Sequence, residues 1–354
     1  NGARHTDQGL LGACDRHGRA AHKGPWGIGG GNGLTLFALA PRRCAVLIGS
    51  RRNGALGIMS MPPPDWPRAE ASQILRVVPH RWHVQIMGEG PDLLLIHGAG
   101  ASTHSWRHLL EPLSRNFRVT AFDLPGQGYS AAGTRSRSSL TLMSEDIAAL
   151  IERLGLQPKV IIGHSAGAAL ALNLARILPV GPENIIAING ALENFKGATG
   201  WLFPFLAKLL VFNPLTGVLL ARGATSAKTR QLISSTGAKI DEDGIDLYQR
   251  LMSQRSHIEA TLAMMAQWSL EDLTRALPDI QIRTLFLHGA QDSAVAPDVA
   301  RRAAQLMPNA SLQLLDGIGH LAQEEAPDHV LEAILSFTNT PPKTKRAAQR
   351  TARV

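Results

Sequence analysis

The serine in the motif Gly-His-Ser-Ala-Gly, at residues 163–167, has the sequence context of a catalytic nucleophile. The apolar run 160–162 precedes the motif and a helical pattern over 168–178 follows it, which predicts a tight turn between a strand and a helix. Glycines two residues to either side let neighbouring chain pass close by, and such a turn holds the hydroxyl above the sheet edge. We predict that Ser165 is a nucleophile; a glycine-rich turn with a solvated serine is the alternative.

A serine hydroxyl is a weak nucleophile at neutral pH and needs a general base that a carboxylate orients. His320 lies in a glycine-flanked turn after the last predicted strand, and Asp292 follows the strand before that one. The order Ser165, Asp292, His320 is that of one known class of catalytic triad. We predict that His320 is the base and Asp292 the acid, with Asp316 and Glu193 as alternative acids.

Attack by serine on a carbonyl group creates an oxyanion that needs hydrogen-bond donors. The apolar run 93–96 leads into a loop of small residues, where a backbone N–H can approach a ligand closely. The backbone N–H groups of Ala99 and Ala166 are predicted to form this oxyanion hole. We expect His97 to hold the loop and Asp123 to fix a turn, rather than to act as base and acid.

Eight short apolar runs alternate with helical patterns and would position these residues. The predicted strands are 74–78, 81–87, 93–97, 119–122, 160–163, 185–189, 284–288 and 312–315. The predicted helices are 105–114, 144–154, 166–178, 299–306 and 320–337. An opening hairpin followed by this alternation predicts an α/β fold, with a mostly parallel eight-stranded sheet and helices on both faces.

Residues 191–277 break the alternation because they have helical patterns only. An all-helical insertion between two strands predicts a cap over the site, separating core segments 61–190 and 278–338. Its most apolar part, 201–212, favours a helix that buries one face on the core. The alternative is contact with substrate, for which the candidate residues are Trp201, Phe203 and Phe205.

Charge and cysteine placement limit the function classes that fit. Of the formal charge of +8, residues 1–60 carry +6 and residues 341–354 carry +5, which leaves −3 on the predicted globular part and argues against nucleic-acid binding. We expect 1–60 to be a disordered leader, or sequence upstream of a start at Met59 or Met61. We expect 339–354 to be a solvated basic tail with weak attraction to membrane surfaces.

Cys14 and Cys44 both precede residue 60, so the predicted core has no thiol for a disulfide, a zinc site or a nucleophile. This indicates a reducing, cytoplasmic compartment. We expect no metal, no cofactor and no transmembrane span.

Over residues 72–338 these motifs resemble the α/β-hydrolase superfamily. Four segments, together with 64–67 and 82–85, resemble more narrowly the magnesium chelatase accessory protein family of bacteriochlorophyll biosynthesis in photosynthesis. The four segments are 97–107, 163–169, 189–192 and 320–327. The chain differs from that family's usual pattern at Ala99, where larger or hydroxylated residues are frequent.

The predicted triad indicates a serine hydrolase that acts on an ester or related carbonyl, and the apolar cap favours a small apolar substrate. The resemblance names a pathway and not a reaction, and it implies a link to magnesium chelatase. One alternative is a non-catalytic accessory protein that binds a tetrapyrrole or magnesium chelatase. Another is a cofactor-free haloperoxidase or carbon–carbon bond hydrolase, because one fold and triad serve several chemistries.

Overall fold

The computed structural model describes residues 61–193 and 216–340, which contain one eight-stranded sheet in the order β1-β2-β4-β3-β5-β6-β7-β8. The strands are β1 (Ser72–Val77), β2 (His80–Met87), β3 (Asp92–Ile96), β4 (Arg118–Phe122), β5 (Pro158–His164), β6 (Asn184–Ile188), β7 (Arg283–Gly289) and β8 (Ala310–Leu315).

The sheet is mostly parallel, as the sequence predicted. β1 and β2 form an antiparallel hairpin and β2 is antiparallel to β4, whereas all other neighbouring pairs are parallel. Parallel strands place their carboxyl ends at one edge, and in this register Gly163 of β5 lies between Ile96 of β3 and Ala187 of β6. The loops that leave β3, β5 and β6 therefore start side by side.

Buried apolar side chains cover both faces of the sheet. Along β5, Ile161 contributes to one core cluster, while Val160 and Ile162 contribute to the other, as the two-residue period of a strand requires. The two faces are covered by α1 (Leu110–Ser114), α2 (Leu140–Leu154), α3 (Ala166–Ile177), α9 (Pro297–Leu306), α10 (Ala322–Glu325) and α11 (Pro327–Asn339). This is the layered arrangement expected from the sequence.

The sequence predicted one continuous helix over 105–114 and another over 320–337. Both predictions are wrong, because each segment is interrupted in the structure. Residues Thr103–Trp106 form a 3-10 turn, and α1 begins only at Leu110. Proline lacks an N–H and is tolerated only in the first turn of a helix, so Pro112 requires a helix start close before it. Pro327 likewise begins α11 and separates it from the short α10.

Between β6 and β7 the described residues from 216 onward form helices and turns. The helices are α4 (Thr216–Arg222), α5 (Ser226–Ser235), α6 (Glu242–Met252), α7 (Arg255–Gln267) and α8 (Glu271–Ala276). Trp201, Phe203 and Phe205, the candidate substrate contacts, lie outside the described residues. Within 61–193 and 216–340, no helix combines the length and apolarity that crossing a membrane requires.

Candidate active site

Ser165 lies between β5 and α3 in a backbone conformation that a non-glycine residue rarely adopts, with φ 52° and ψ −116°. The turn is possible only because of the flanking glycines. A Cβ at Gly163 would stand 2.2 Å from the carbonyl oxygen of Gly167, and a Cβ at Gly167 would stand 2.2 Å from that of Ile96. Close packing of the backbone around this turn holds Ser165 at the carboxyl edge of the sheet.

The structure brings Ser165, His320 and Asp292 together. His320 Nε2 is 3.1 Å from Ser165 Oγ, and His320 Nδ1 is 2.8 Å from Asp292 Oδ2. Because the carboxylate accepts the hydrogen bond from Nδ1–H, the Nε2 lone pair faces the serine hydroxyl. In this geometry the imidazole can accept a proton from Ser165.

Asp292 is held by several donors besides His320. Its Oδ1 accepts the backbone N–H groups of Ala294 and Val295, each at 2.8 Å, and its Oδ2 also accepts Asn189 Nδ2 at 2.8 Å. Burial alone would raise the pKa of Asp292, but hydrogen bonds from His288 and His320 hold that pKa below its usual value. The carboxyl group is therefore ionised at neutral pH.

The alternative acids lie in other surroundings. Asp316 is exposed. Glu193 forms an ion pair with Arg302, with Nη2 and Oε2 2.9 Å apart. The carboxylate hydrogen bonded to His320 Nδ1 is that of Asp292.

The loop after β3 lies beside Ser165, as its small residues suggested. Ala99 and Ser165 line the same cavity, and Ala166 is the first residue of α3. Within the described residues, no acceptor is hydrogen bonded to the backbone N–H of Ala99 or of Ala166. These two N–H groups can therefore receive an external oxygen atom.

His97 and Asp123 are both fully buried behind this loop. His97 Nδ1 donates to Gly98 O at 2.7 Å, and its Nε2 accepts the N–H of Leu124 at 2.9 Å. Asp123 accepts the N–H groups of Thr103 and Tyr129. Burial alone would raise the pKa of Asp123, but the adjacent His83 lowers it to about 2.

His257 on α7 also holds the loop, and the sequence did not predict it. Its Nδ1 accepts the N–H of Gly128 at 3.0 Å, which leaves Nε2–H to donate to Gly100 O at 3.1 Å. The N–H of Gly100 donates to Gln127 Oε1. Hydrogen bonds thus fix both backbone polar groups of Gly100, and the donor to its carbonyl oxygen lies in the helical insertion.

Two further residues that sequence reasoning left without a role hold His320 and Asp292, the predicted base and acid. His164, inside the serine motif, donates from Nε2 to His320 O at 2.9 Å, and burial lowers its pKa to about 3. Asn189 has φ 47° at the end of β6, and its amide donates to Gly319 O as well as to Asp292. The only sequence signal for His164 and Asn189 was their position in motifs, and there was no such signal for His257.

A cavity of about 440 Å³ opens onto Ser165 and His320. Its walls come from the loop after β3 and from helices α4 to α7, and most of the side chains are apolar. The insertion contributes Leu219, Leu220, Leu232, Ile233, Met252, Ile258, Leu262 and Met265. A lining of this kind favours an apolar substrate.

Within 61–193 and 216–340, no group of three or more His, Cys, Asp or Glu side chains has a metal-binding arrangement. The polar groups at the base of the cavity are those of the serine, histidine and backbone donors described above.

Comparison with known proteins agrees with this architecture. A family model described as alpha/beta hydrolase fold matches residues 91–327. The magnesium-chelatase 30 kDa subunit of Rhodobacter capsulatus is 41% identical over 278 residues, which are 78% of this chain and 97% of that protein. The pimeloyl-[acyl-carrier protein] methyl ester esterase of Nitrosospira multiformis is 28% identical and covers 72% of this chain and 97% of its own length.

Among solved structures, bromoperoxidase from Bacillus anthracis superimposes with a TM-score of 0.65 at 20% identity, over 76% of this chain and all of that one. At this level of identity the likeness concerns the fold.

Proposed function

The chain belongs to the α/β-hydrolase family, and we propose that it is a serine hydrolase whose nucleophile is Ser165, base His320 and acid Asp292. The substrate class is an ester or a related carbonyl compound with an apolar body. The observation that carries this proposal is the continuous hydrogen-bonded path from Ser165 Oγ through the imidazole to the buried carboxylate.

In the proposed reaction, Ser165 Oγ attacks the carbonyl carbon while His320 Nε2 takes the hydroxyl proton. The N–H groups of Ala99 and Ala166 stabilise the negative oxygen of the tetrahedral intermediate. His320 then returns the proton to the leaving group, and an acyl group stays on Ser165. A water molecule releases it by the same steps, and Asp292 holds the imidazole throughout.

Labelling with a fluorophosphonate probe tests this proposal without a known substrate. The wild-type protein should be labelled covalently at one site, and Ser165→Ala should not be labelled. Ser105→Ala is a matched control, because Ser105 is a buried serine whose hydroxyl donates to Ser102 O. Labelling of Ser165→Ala at the wild-type rate would place the nucleophile elsewhere, and no labelling of the wild type would contradict the hydrolase proposal.

We further propose that the reaction belongs to bacteriochlorophyll synthesis, on the strength of the 41% identity to a protein named as a magnesium-chelatase subunit. The same identity supports a second candidate function, a non-catalytic accessory protein that binds a tetrapyrrole or magnesium chelatase. The apolar cavity is compatible with such a ligand.

Absorbance spectra of magnesium protoporphyrin titrated with the protein separate the two candidates. A binding protein should shift or quench the pigment spectrum at micromolar concentration, and Ser165→Ala should shift it as strongly. Turnover of simple esters without any spectral change would support the hydrolase function and contradict the pigment-binding function.

A further inference from the structure

The cavity that opens onto Ser165 has one strongly charged side chain in its described lining. Of the described residues around it, Lys228 is the only Lys or Arg, and neither Asp nor Glu is present. The two histidines that face the cavity besides His320 have lowered pKa values because they are buried, about 3 for His164 and about 4 for His257. Among the described lining residues, a single ammonium group therefore dominates the electrostatic character of the cavity.

The ammonium group has no carboxylate to neutralise it in the part of the chain that the structure describes. The neighbouring cation on the same helix, Arg230, differs in this respect because it forms an ion pair with Glu242, with Nη1 and Oε1 2.6 Å apart. A Cβ at Gly223 would stand 3.4 Å from Lys228 Nζ, so the lack of a side chain there leaves the group accessible.

Helix α5, which carries Lys228, is anchored beside the proposed catalytic residues. Its C-terminal end lies against the loop that carries Asp292, because the N–H of Ser293 donates to Thr236 O at 3.0 Å. Ile233 packs in one cluster with Ala101. Thr236 and Lys228 both line the cavity and are eight residues apart, which is roughly 12 Å at 1.5 Å per helical residue.

We propose that Lys228 is a specificity-determining residue that binds a carboxylate at the end of the substrate remote from the scissile carbonyl. The inference rests on the proposed hydrolase function and adds the substrate class, a carbonyl compound whose apolar body separates the reacting group from a terminal carboxylate. One ammonium group matches the single charge of a carboxylate. The apolar lining between Lys228 and Ser165 accommodates the body of such a substrate.

Two series of 4-nitrophenyl esters test this inference. In one series the acyl chain ends in a carboxylate, in the other in the corresponding carboxamide, and both increase in chain length. For the wild type we expect kcat/KM to favour the carboxylate by about two- to fivefold at low salt, the size of an exposed charge pair. The preference should pass through a maximum as the chain lengthens, because only a chain of matching length reaches Lys228 and Ser165 together, and it should fall with added NaCl because salt screens exposed charges.

Lys228→Gln should abolish the carboxylate preference, and Lys228→Glu should reverse it. Arg230→Gln, which removes the same charge from the same helix, should keep it. The rate of fluorophosphonate labelling, measured on every variant, corrects for the amount of folded protein. Labelled wild type that hydrolyses both series equally would overturn the role of Lys228 and leave the hydrolase intact, whereas absent labelling would remove the hydrolase proposal and this inference with it.

Discussion

At the scale of single residues, the carboxylate of Asp292 is positioned to keep His320 in the tautomer that faces Ser165. Asp292→Asn retains the shape of the side chain but removes its charge, so we expect ester hydrolysis to slow by roughly 10⁴, as in other triads. Steady-state kinetics on a 4-nitrophenyl ester provide the measurement. Asp316→Asn, at an exposed position, is the control. A loss below about tenfold in Asp292→Asn would contradict the role of Asp292 as the acid.

Asn189 acts on the same carboxylate through its amide group. Asn189→Gly keeps a residue that tolerates the positive φ but removes the hydrogen bonds to Asp292 and Gly319. Loss of a hydrogen bond to a charged group costs about 1.5–3 kcal/mol, so kcat should fall roughly 10- to 100-fold while KM changes little. An unchanged kcat would show that Asn189 shapes only the turn.

Sequence reasoning at this scale was most informative where a residue type needs a special backbone. The glycines around Ser165 indicated a crowded turn, and the structure shows the close carbonyl contacts that exclude a Cβ there. The order of Ser165, Asp292 and His320 and their positions after predicted strands also suggested that the three would meet. The sequence offered no indication of His257, because its two partners, Gly100 and Gly128, are far away in sequence and the contact depends on how the insertion packs.

At the scale of elements, α7 and the loop after β3 are joined through the neutral imidazole of His257. Burial lowers the pKa of His257 from 6.5 to about 4. As pH falls from 6.5 to 4, the unfolded chain therefore takes up a proton at this position before the folded chain does. The contribution of neutral His257 to the free energy of unfolding is therefore complete above pH 6.5. It is lost as the pH falls from 6.5 to 4, by about 3 kcal/mol in total.

His257→Gln should flatten this dependence, so that the free energy of unfolding falls less steeply on acidification, by about 1.4 kcal/mol per pH unit. Urea unfolding at several pH values between 4.5 and 7.5 measures the slope. His329→Gln is the control, because His329 is exposed. Parallel curves for wild type and His257→Gln would contradict the prediction.

The eight strands could be predicted to within about two residues at each end because their apolar runs are short and separated by turn residues. Helix continuity was harder to predict. The apolar period runs through Pro112 and Pro327, but the missing N–H of proline starts a new helix at each point. The start of α2 at Leu140 rather than Ser144 reflects its cap, since Ser139 Oγ accepts the N–H of Leu142.

At the scale of the whole molecule, we expect that residues 1–60 can be removed without loss of stability. That segment has no periodic apolar face, and the buried core of the described residues begins at Trp66. Deletion should change the melting temperature by less than about 2 °C, which is under about 1 kcal/mol for a domain of this size. Calorimetry or thermal scanning measures the change.

Trp66→Ala in the shortened protein is the positive control, because Trp66 packs against Leu247 and Leu251. Loss of a buried tryptophan costs about 3–5 kcal/mol, so the melting temperature should drop clearly. A large drop on deletion of 1–60 alone would show that the segment packs against the core.

The sequence distance between Ser165 and His320, its proposed base, has a consequence for synthesis of the chain. His320 lies 155 residues after the serine, so at ~5–20 residues per second a ribosome makes the base roughly 8–30 s later. During part of that time β6 has no β7 to pair with, and its exposed edge is open to other nascent chains. Under the proposed mechanism Ser165 lacks its base over the same interval, so a chain truncated before His320 should not hydrolyse esters.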